Sequence, residues 1–174
     1  MKMWKGISMD ISLRKMSIED GLDIYEMIQE IGPGENGFAN GGYWIGLTDF
    51  PQYIRQQIDM SQGIGLPPQY VPQTIYWLYV NGRPVGYGKV RDYLNDNLRK
   101  IGGHIGYCIR PSERGEGYGK AILHELLIKA REKGIQEALL TCLETNFASR
   151  KVIESNHGEL DSIIDGECHY WIRK

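Results

Sequence analysis

Apolar and polar positions alternate along this chain with two different periods, and the changes of period mark its elements. Ile11 to Lys15 alternates with the period of a short strand. From Ser17 to Ile31 the period lengthens: Leu22, Ile24, Tyr25 and Ile28 recur near helical spacing. Ser17 or Asp20 can cap that helix, and Gly32-Pro33 ends it. The run GPGENGFANGG, Gly32 to Gly42, holds five glycines and has no period, so it is a loop. A second helix is expected around Phe50 to Met60, stopped by the Gly- and Pro-rich SQGIGLPPQYVP.

Thr74 to Val80 (TIYWLYV) and Pro84 to Tyr93 (PVGYGKVRDY) flank Asn81-Gly82, the signature of a hairpin. His104 to Arg110 (HIGYCIR) is a third strand of this run. In Lys120 to Lys133, apolar Ile122, Leu123, Leu126, Leu127 and Ala130 make one helix face, and Gly134 stands just past its end. Gln136 to Leu143 reads as a buried strand. Thr145 or Asn146 can cap a helix running to about Ser155, stopped by His157-Gly158. Glu159 to Ile164 and Glu167 to Arg173 form a hairpin around Asp165-Gly166. The order β-α-α-β-β-β-α-β-α-β-β implies an α/β (α+β) mixed sheet with helices on both faces. No repeat, low-complexity tract or charge block divides the chain, so the expectation is one domain over 1–174, with a core from about residue 11.

Composition narrows the class. With 174 residues there is chain enough for a proper core without disulfide or metal staples. The 20 basic and 22 acidic side chains argue against a nucleic-acid binder held by bulk charge. No apolar run is long enough to span a bilayer, and MKMWKGISMDISLRK lacks the apolar stretch of a signal peptide. Cys108, Cys142 and Cys168 are odd in number and form no CxxC, which reads as reduced thiols in a cytoplasmic protein. No membrane partner and no metal site are expected.

The chemistry concentrates in HIGYCIRPSERGEGYGKAILHELLIKAREKG. A strand ends at Pro111, a short loop carries Gly115, Gly117 and Gly119, and an amphipathic helix begins at once. Unpaired amides and the positive end of the helix dipole make such a turn an anion site, and phosphate is its natural anion. Arg114 and Lys120 add charge on either side. A turn that merely joins strand and helix would also use glycine. The spacing fails the P-loop pattern, since Arg114 occupies its first glycine and Ala121 its hydroxyl position. It also fails the dinucleotide fingerprint, which would need glycine at Lys120 or Ile122.

Arg-x-x-Gly-x-Gly does fit, at Arg114, Gly117 and Gly119, followed beyond the next strand by Asn-x-x-Ser at Asn146 and Ser149. This resembles the acyl-CoA motif of the GNAT superfamily of N-acetyltransferases. The element order agrees from about Ile11 to the C-terminus, and the motifs are specific from His104 to about Gly158. The resemblance implies a mostly antiparallel central sheet, splayed at the site of acetyl-CoA. It implies that amides from Arg114 through Gly115, Glu116, Gly117, Tyr118 and Gly119 to Lys120 hold the pyrophosphate. The backbone from Tyr107 through Cys108 and Ile109 to Arg110 would pair with the pantetheine arm. An amide at Cys108 or Ile109 would polarise the thioester carbonyl, and Asn146, with Ser149 nearby, would bond the pantetheine from the far side.

By the same resemblance an amine attacks the thioester directly. His104 stands where many members carry a glutamate, and could take the amine's proton directly or through water. The residue itself leaves base and ordinary sheet-edge histidine both open. Ile153 stands where many members place a tyrosine as general acid for the leaving thiolate. The reading is an acetyl-CoA-dependent N-acetyltransferase acting on a primary amine of a small molecule, peptide or protein, with a homodimer suggested by the family. The alternative is a non-catalytic acyl-CoA-binding or regulatory module on the same fold; a nucleotide-phosphate enzyme is disfavoured by the failed spacings. Gly32 to Gly42 is expected to border the acceptor.

Overall fold

The computed structural model describes residues 2–4 and 6–173. Two short strands, β1 (Lys2–Trp4) and β2 (Ile7–Met9), form an antiparallel hairpin that hydrophobic patterning did not suggest. Then follow β3 (Ile11–Lys15), α1 (Leu22–Ile31), α2 (Phe50–Ser61), β4 (Gln73–Val80), β5 (Arg83–Arg91), α3 (Asp96–Lys100) and β6 (Ile105–Ile109). The chain continues with α4 (Tyr118–Glu132), β7 (Ala138–Leu143), α5 (Phe147–Glu154), β8 (Glu159–Ile164) and β9 (Glu167–Ile172). All strand pairings are antiparallel, in the orders β3-β4-β5-β6 and β7-β9-β8. The mixed α/β architecture matches the expectation.

Both faces of the larger sheet are covered, which explains the unbroken apolar run of β4. Ile75, Trp77 and Tyr79 turn to α1 and α2, packing with Ile24, Met27, Ile28, Phe50 and Ile54. Tyr76, Leu78 and Val80 turn to α4, with Ile122, Leu123 and Leu126. Gly86 and Gly88 of β5 let α4 approach: a Cβ on Gly88 would stand 2.7 Å from the Leu126 side chain. The two hairpin turns expected from the sequence are formed by Asn81-Gly82 and Asp165-Gly166, all four residues at positive φ, as this turn type demands.

α1 starts later than expected. Asp20 does not cap it; its carboxylate accepts from the Trp77 indole N–H (2.7 Å) and the Ser17 amide (2.9 Å), so the helix begins after Gly21. α1 is instead fastened at its far end. Glu30 accepts from Arg110 Nε (2.6 Å) and from the Ser112 amide (2.8 Å). Burial alone would raise the Glu30 carboxyl, but the bonds from Ser112 and Arg110 outweigh it and hold it at about 2 against an ordinary 4.5. A carboxyl depressed in the folded state stabilises fully above its ordinary value and loses that contribution as pH falls from about 4.5 towards 2. Glu30→Gln should therefore lower the stability read from urea midpoints by about 1–3 kcal/mol at pH 7. The gap to the parent protein should narrow at pH 3.

The feature that positions the site is the join between the two sheets. At Gly103 and His104 the chain entering β6 touches β7: His104 N–H donates to Leu139 O (2.7 Å), and Leu139 N–H donates to His104 Nδ1 (2.9 Å). Gly103 has φ +59°, and a Cβ there would lie 2.2 Å from Leu139 O. Gly102 N–H adds a bond to Thr141 Oγ1 (2.7 Å). Beyond this join β6 and β7 share no ladder.

Candidate active site

Where β6 and β7 part, a cleft of about 840 Å³ opens between them. Pleating decides which groups of β6 it receives. Arg91 N–H bonds His104 O and Arg110 N–H bonds Val85 O, each at 2.8–2.9 Å, so in the β5–β6 register Gly106 and Cys108 also direct their backbone groups to β5. Tyr107 and Ile109 direct theirs away from β5, into the cleft. The same alternation on β7 commits Leu140 and Cys142 to β9 and turns Thr141 to the gap.

This sorts the expected backbone contacts. Tyr107 and Ile109 present N–H groups to the cleft; Cys108 and Arg110 do not, because their amides belong to the β5 ladder. The Arg110 side chain is committed too, donating to Glu30 and, through Nη1, to Pro84 O at 3.0 Å. Cys108 lines the cleft with its thiol, which burial pushes up to about 12, far from a thiolate nucleophile.

The glycine turn stands at one end of the cleft. Gly117 is the N-cap of α4 in a left-handed conformation (φ 87°, ψ 9°), and Gly115 has φ 83°. Arg114 N–H turns back to Pro111 O and Lys120 N–H to Gly117 O, so the two ends of the expected amide series are used within the chain. Among the described residues, the amides of Gly115, Gly117, Tyr118 and Gly119 have no backbone acceptor. Glycine at 119 also lets α5 approach, since a Cβ there would stand 3.2 Å from Val152. Arg114 donates to Ile109 O (3.0 Å) and pairs with Glu35 across the mouth of the cleft. Glu116 belongs to the same turn and is not among the cleft-lining residues.

On the far wall, Asn146 caps α5, its side chain accepting from Ser149 N–H at 3.2 Å. Ser149 Oγ lies 3.0 Å from Tyr107 OH, a contact joining the two walls. Asn146, Ser149, Arg114, Lys120, Gly115, Gly117, Tyr118 and Gly119 all line the cleft. So do Glu35 to Ala39 of the glycine-rich segment. That segment is a built wall: Asn40 Nδ2 donates to Ile28 O (2.9 Å) and Gly32 O (2.7 Å), and Gly34 leaves no room for a Cβ beside Phe38 O.

His104 is placed differently from most of the other expected site residues. It does not line the cleft. Its Nδ1 accepts from Leu139, so the proton of the neutral ring sits on Nε2 and neither nitrogen is poised to take another. Burial first, then Arg99 and Arg91, lowers its pKa to about 4. Its observed work is to bridge the sheets. Ile153, in the place the family often gives to tyrosine, is a core residue under Gly158.

Lys89 and Arg91, which the sequence reading did not single out, also line the cleft. Their signal was parity: on β5 they share the face of Tyr87, which packs with Trp77 in the core.

The sequence profile of the Acetyltransferase (GNAT) family matches residues 44–158, more than half of the chain. The chain belongs to this family. By class it is an acetyl-CoA-dependent N-acetyltransferase. Solved GNAT structures agree in fold. RimL, a ribosomal L7/L12 alpha-N-protein acetyltransferase in complex with coenzyme A, has TM-score 0.69 at 16% identity, over 94% of this chain and 93% of that one. The microcin C7 self-immunity acetyltransferase MccE, in complex with acetyl-CoA and AMP, has TM-score 0.65 at 16% identity, over 100% and 98%. A putative acetyltransferase, yncA, from Salmonella typhimurium with acetyl-CoA has TM-score 0.61 at 15% identity, over 94% and 93%. No curated protein sequence matches the chain. Among the described residues no helix is long and apolar enough to cross a membrane.

Proposed function

We propose that this GNAT protein, as one domain, moves the acetyl group of acetyl-CoA to a primary amine of a small molecule, peptide or protein by direct attack in a ternary complex. The observation that carries the reading is the parting of β6 and β7, which aims the Tyr107 and Ile109 amides into a cleft ending at the glycine turn. The residues fit the cofactor. The amides of Gly115, Gly117, Tyr118 and Gly119, with the dipole of α4, suit a pyrophosphate, and Arg114 and Lys120 add charge. The open edge of β6 suits an extended arm carrying amides, with Asn146 and Ser149 on the other wall.

Acetyl-CoA supplies an activated thioester carbonyl. The Ile109 amide, one residue along from the Cys108 amide that the ladder consumes, polarises that carbonyl as charge develops on its oxygen. Positioning supplies most of the remaining acceleration. His104 acts as a spacer that starts the divergence of the strands, and the amine's proton passes to water in the open cleft.

Release of CoA thiol from acetyl-CoA with a panel of amines, peptides and proteins tests the transfer. Acetyl-CoA binding with no acceptor-dependent thiol release would instead identify a non-catalytic acyl-CoA-binding module. His104→Asn places Oδ1 near the position of Nδ1 and should keep the pH profile of kcat/KM. His104→Leu should lose stability and leave the shape of that profile unchanged. A profile whose acidic limb, the rise with pH as a base loses its proton, vanished in His104→Asn would restore histidine as the base.

A further inference from the structure

Lys89 and Arg91 form an unusual pair of cations. Gly86 and Gly88 face α4, so the alternation of β5 turns Lys89 and Arg91 to the opposite face, beneath the glycine-rich wall. Lys89 is only 8% exposed. Its Nζ donates to Ala39 O (2.6 Å) and sits 4.5 Å from the Phe38 ring centre and 5.3 Å from that of Tyr87. An ammonium has three protons to donate, and among the described residues Ala39 O is its one hydrogen-bond acceptor. Arg91 Nη1 donates to Gly102 O (3.0 Å) and Gly103 O (3.2 Å). Its Nη2 reaches the cleft floor, where a Cβ on Gly106 would lie 3.7 Å from it and 3.6 Å from Phe38.

Among the described residues neither cation has a carboxylate partner. The acids that line the cleft are engaged elsewhere: Glu35 with Arg114, Glu113 with Arg83, and Glu167 with Thr141 and His169. Burial, then Arg91, brings Lys89 down to about 8, which leaves it charged at neutral pH. Two neighbouring cations, Lys89 buried and Arg91 half-buried, repel each other and forfeit hydration when no counter-ion is near, and an arriving anion reverses both effects. The cofactor's phosphates do not meet this need. Their cradle is the glycine turn at the start of α4, whereas this pair lies on the side of the sheet walled by Phe38 and Ala39.

We infer that Lys89 and Arg91 bind an anionic group, carboxylate or phosphate, carried by the acceptor close to its amine. Glycine at 106 keeps the floor between Arg91 and Phe38 open for that group. The acceptor class is then a zwitterion: an amino acid, or an amine bearing a phosphate or phosphonate. This rests on reading the cleft as a transferase site, and it narrows the acceptor.

The test compares matched acceptors by thiol release: β-alanine against propylamine, L-leucine against isopentylamine, L-phenylalanine against phenethylamine. The phosphonate arm is 2-aminoethylphosphonate. The anionic member of at least one pair should lead its neutral partner by about 30-fold or more in kcat/KM. Preference for 2-aminoethylphosphonate over β-alanine would assign phosphate chemistry, and the reverse carboxylate. Lys89→Met should erase most of the preference through KM, and Lys89→Arg should restore part of it, with acetyl-CoA binding reporting that each variant is folded.

Calorimetry on the CoA-saturated protein separates the two readings. N-acetyl-β-alanine, N-acetyl-L-leucine or N-acetyl-L-phenylalanine should bind more tightly than the matching neutral acetamide whether or not turnover is seen. Anion-selective binding without thiol release would sink the transferase reading and keep the anion site. Equal treatment of charged and neutral members, in turnover and in binding, would overturn the inference.

Discussion

Gly103→Ala is expected to destabilise the protein by about 4 kcal/mol or more, enough to leave little folded protein at 37 °C. The added Cβ would sit 2.2 Å from Leu139 O and 2.8 Å from Leu139 C, backbone atoms that cannot swing aside. The residue would also hold φ +59°, which alanine adopts only with strain. To relieve the overlap the chain must withdraw from β7. That would break His104 N–H to Leu139 O and leave Leu139 N–H, now bonded to His104 Nδ1, without an acceptor. Gly115→Ala is the control: its φ is +83° but nothing lies within 4 Å of the added carbon, so only the backbone term, about 1 kcal/mol, applies. Urea midpoints of the two variants compare directly. Equal midpoints would show that the sheets are not joined at this point.

Gly117→Val should raise the Kd for acetyl-CoA by about two orders of magnitude while leaving most of the stability in place. Gly117 is the N-cap of α4 at φ 87°, a conformation a β-branched residue resists. Restoring an ordinary φ would turn the amides of Gly117 and Tyr118 away from the phosphate position. Arg114→Glu should weaken binding by about tenfold, because Arg114 is nearly half exposed and its charge is screened. Titration of acetyl-CoA by calorimetry, with thermal melting as a check on folding, reads both. Unchanged affinity in Gly117→Val would move the phosphate site away from the glycine turn.

Much of this architecture could be read from local signals. The turns Asn81-Gly82 and Asp165-Gly166 announced their hairpins because they need positive φ at both central residues. The amphipathic stripe of Ile122, Leu123, Leu126 and Leu127 announced α4, and Asn146 capped α5 as its spacing suggested. What local pattern missed was decided by distant partners. Asp20 carries a capping residue's chemistry but spends it on Trp77, 57 positions away. His104 has the chemistry of a base, yet its Nδ1 is taken by a backbone amide 35 positions away. Which of the Cys108 and Ile109 amides faces the cleft is set by the β5 register, which no single-strand pattern contains. α3 was missed because five residues cannot show a helical period.

The parting of β6 and β7 has a consequence for the open edges of the sheets. A sheet edge is ordinarily a hazard, because its unpaired amides and carbonyls can template another chain. Here two such edges lie inside the molecule, turned towards each other, where only a thin extended ligand can reach them. The outer edges of the two larger sheets are β3, which ends in Arg14 and Lys15, and β8, which carries Glu159 and Asp161. Like charges on each of these edges oppose its pairing with the same edge of another copy. The fold thus turns half of the open edges of its two larger sheets inward, to the cleft.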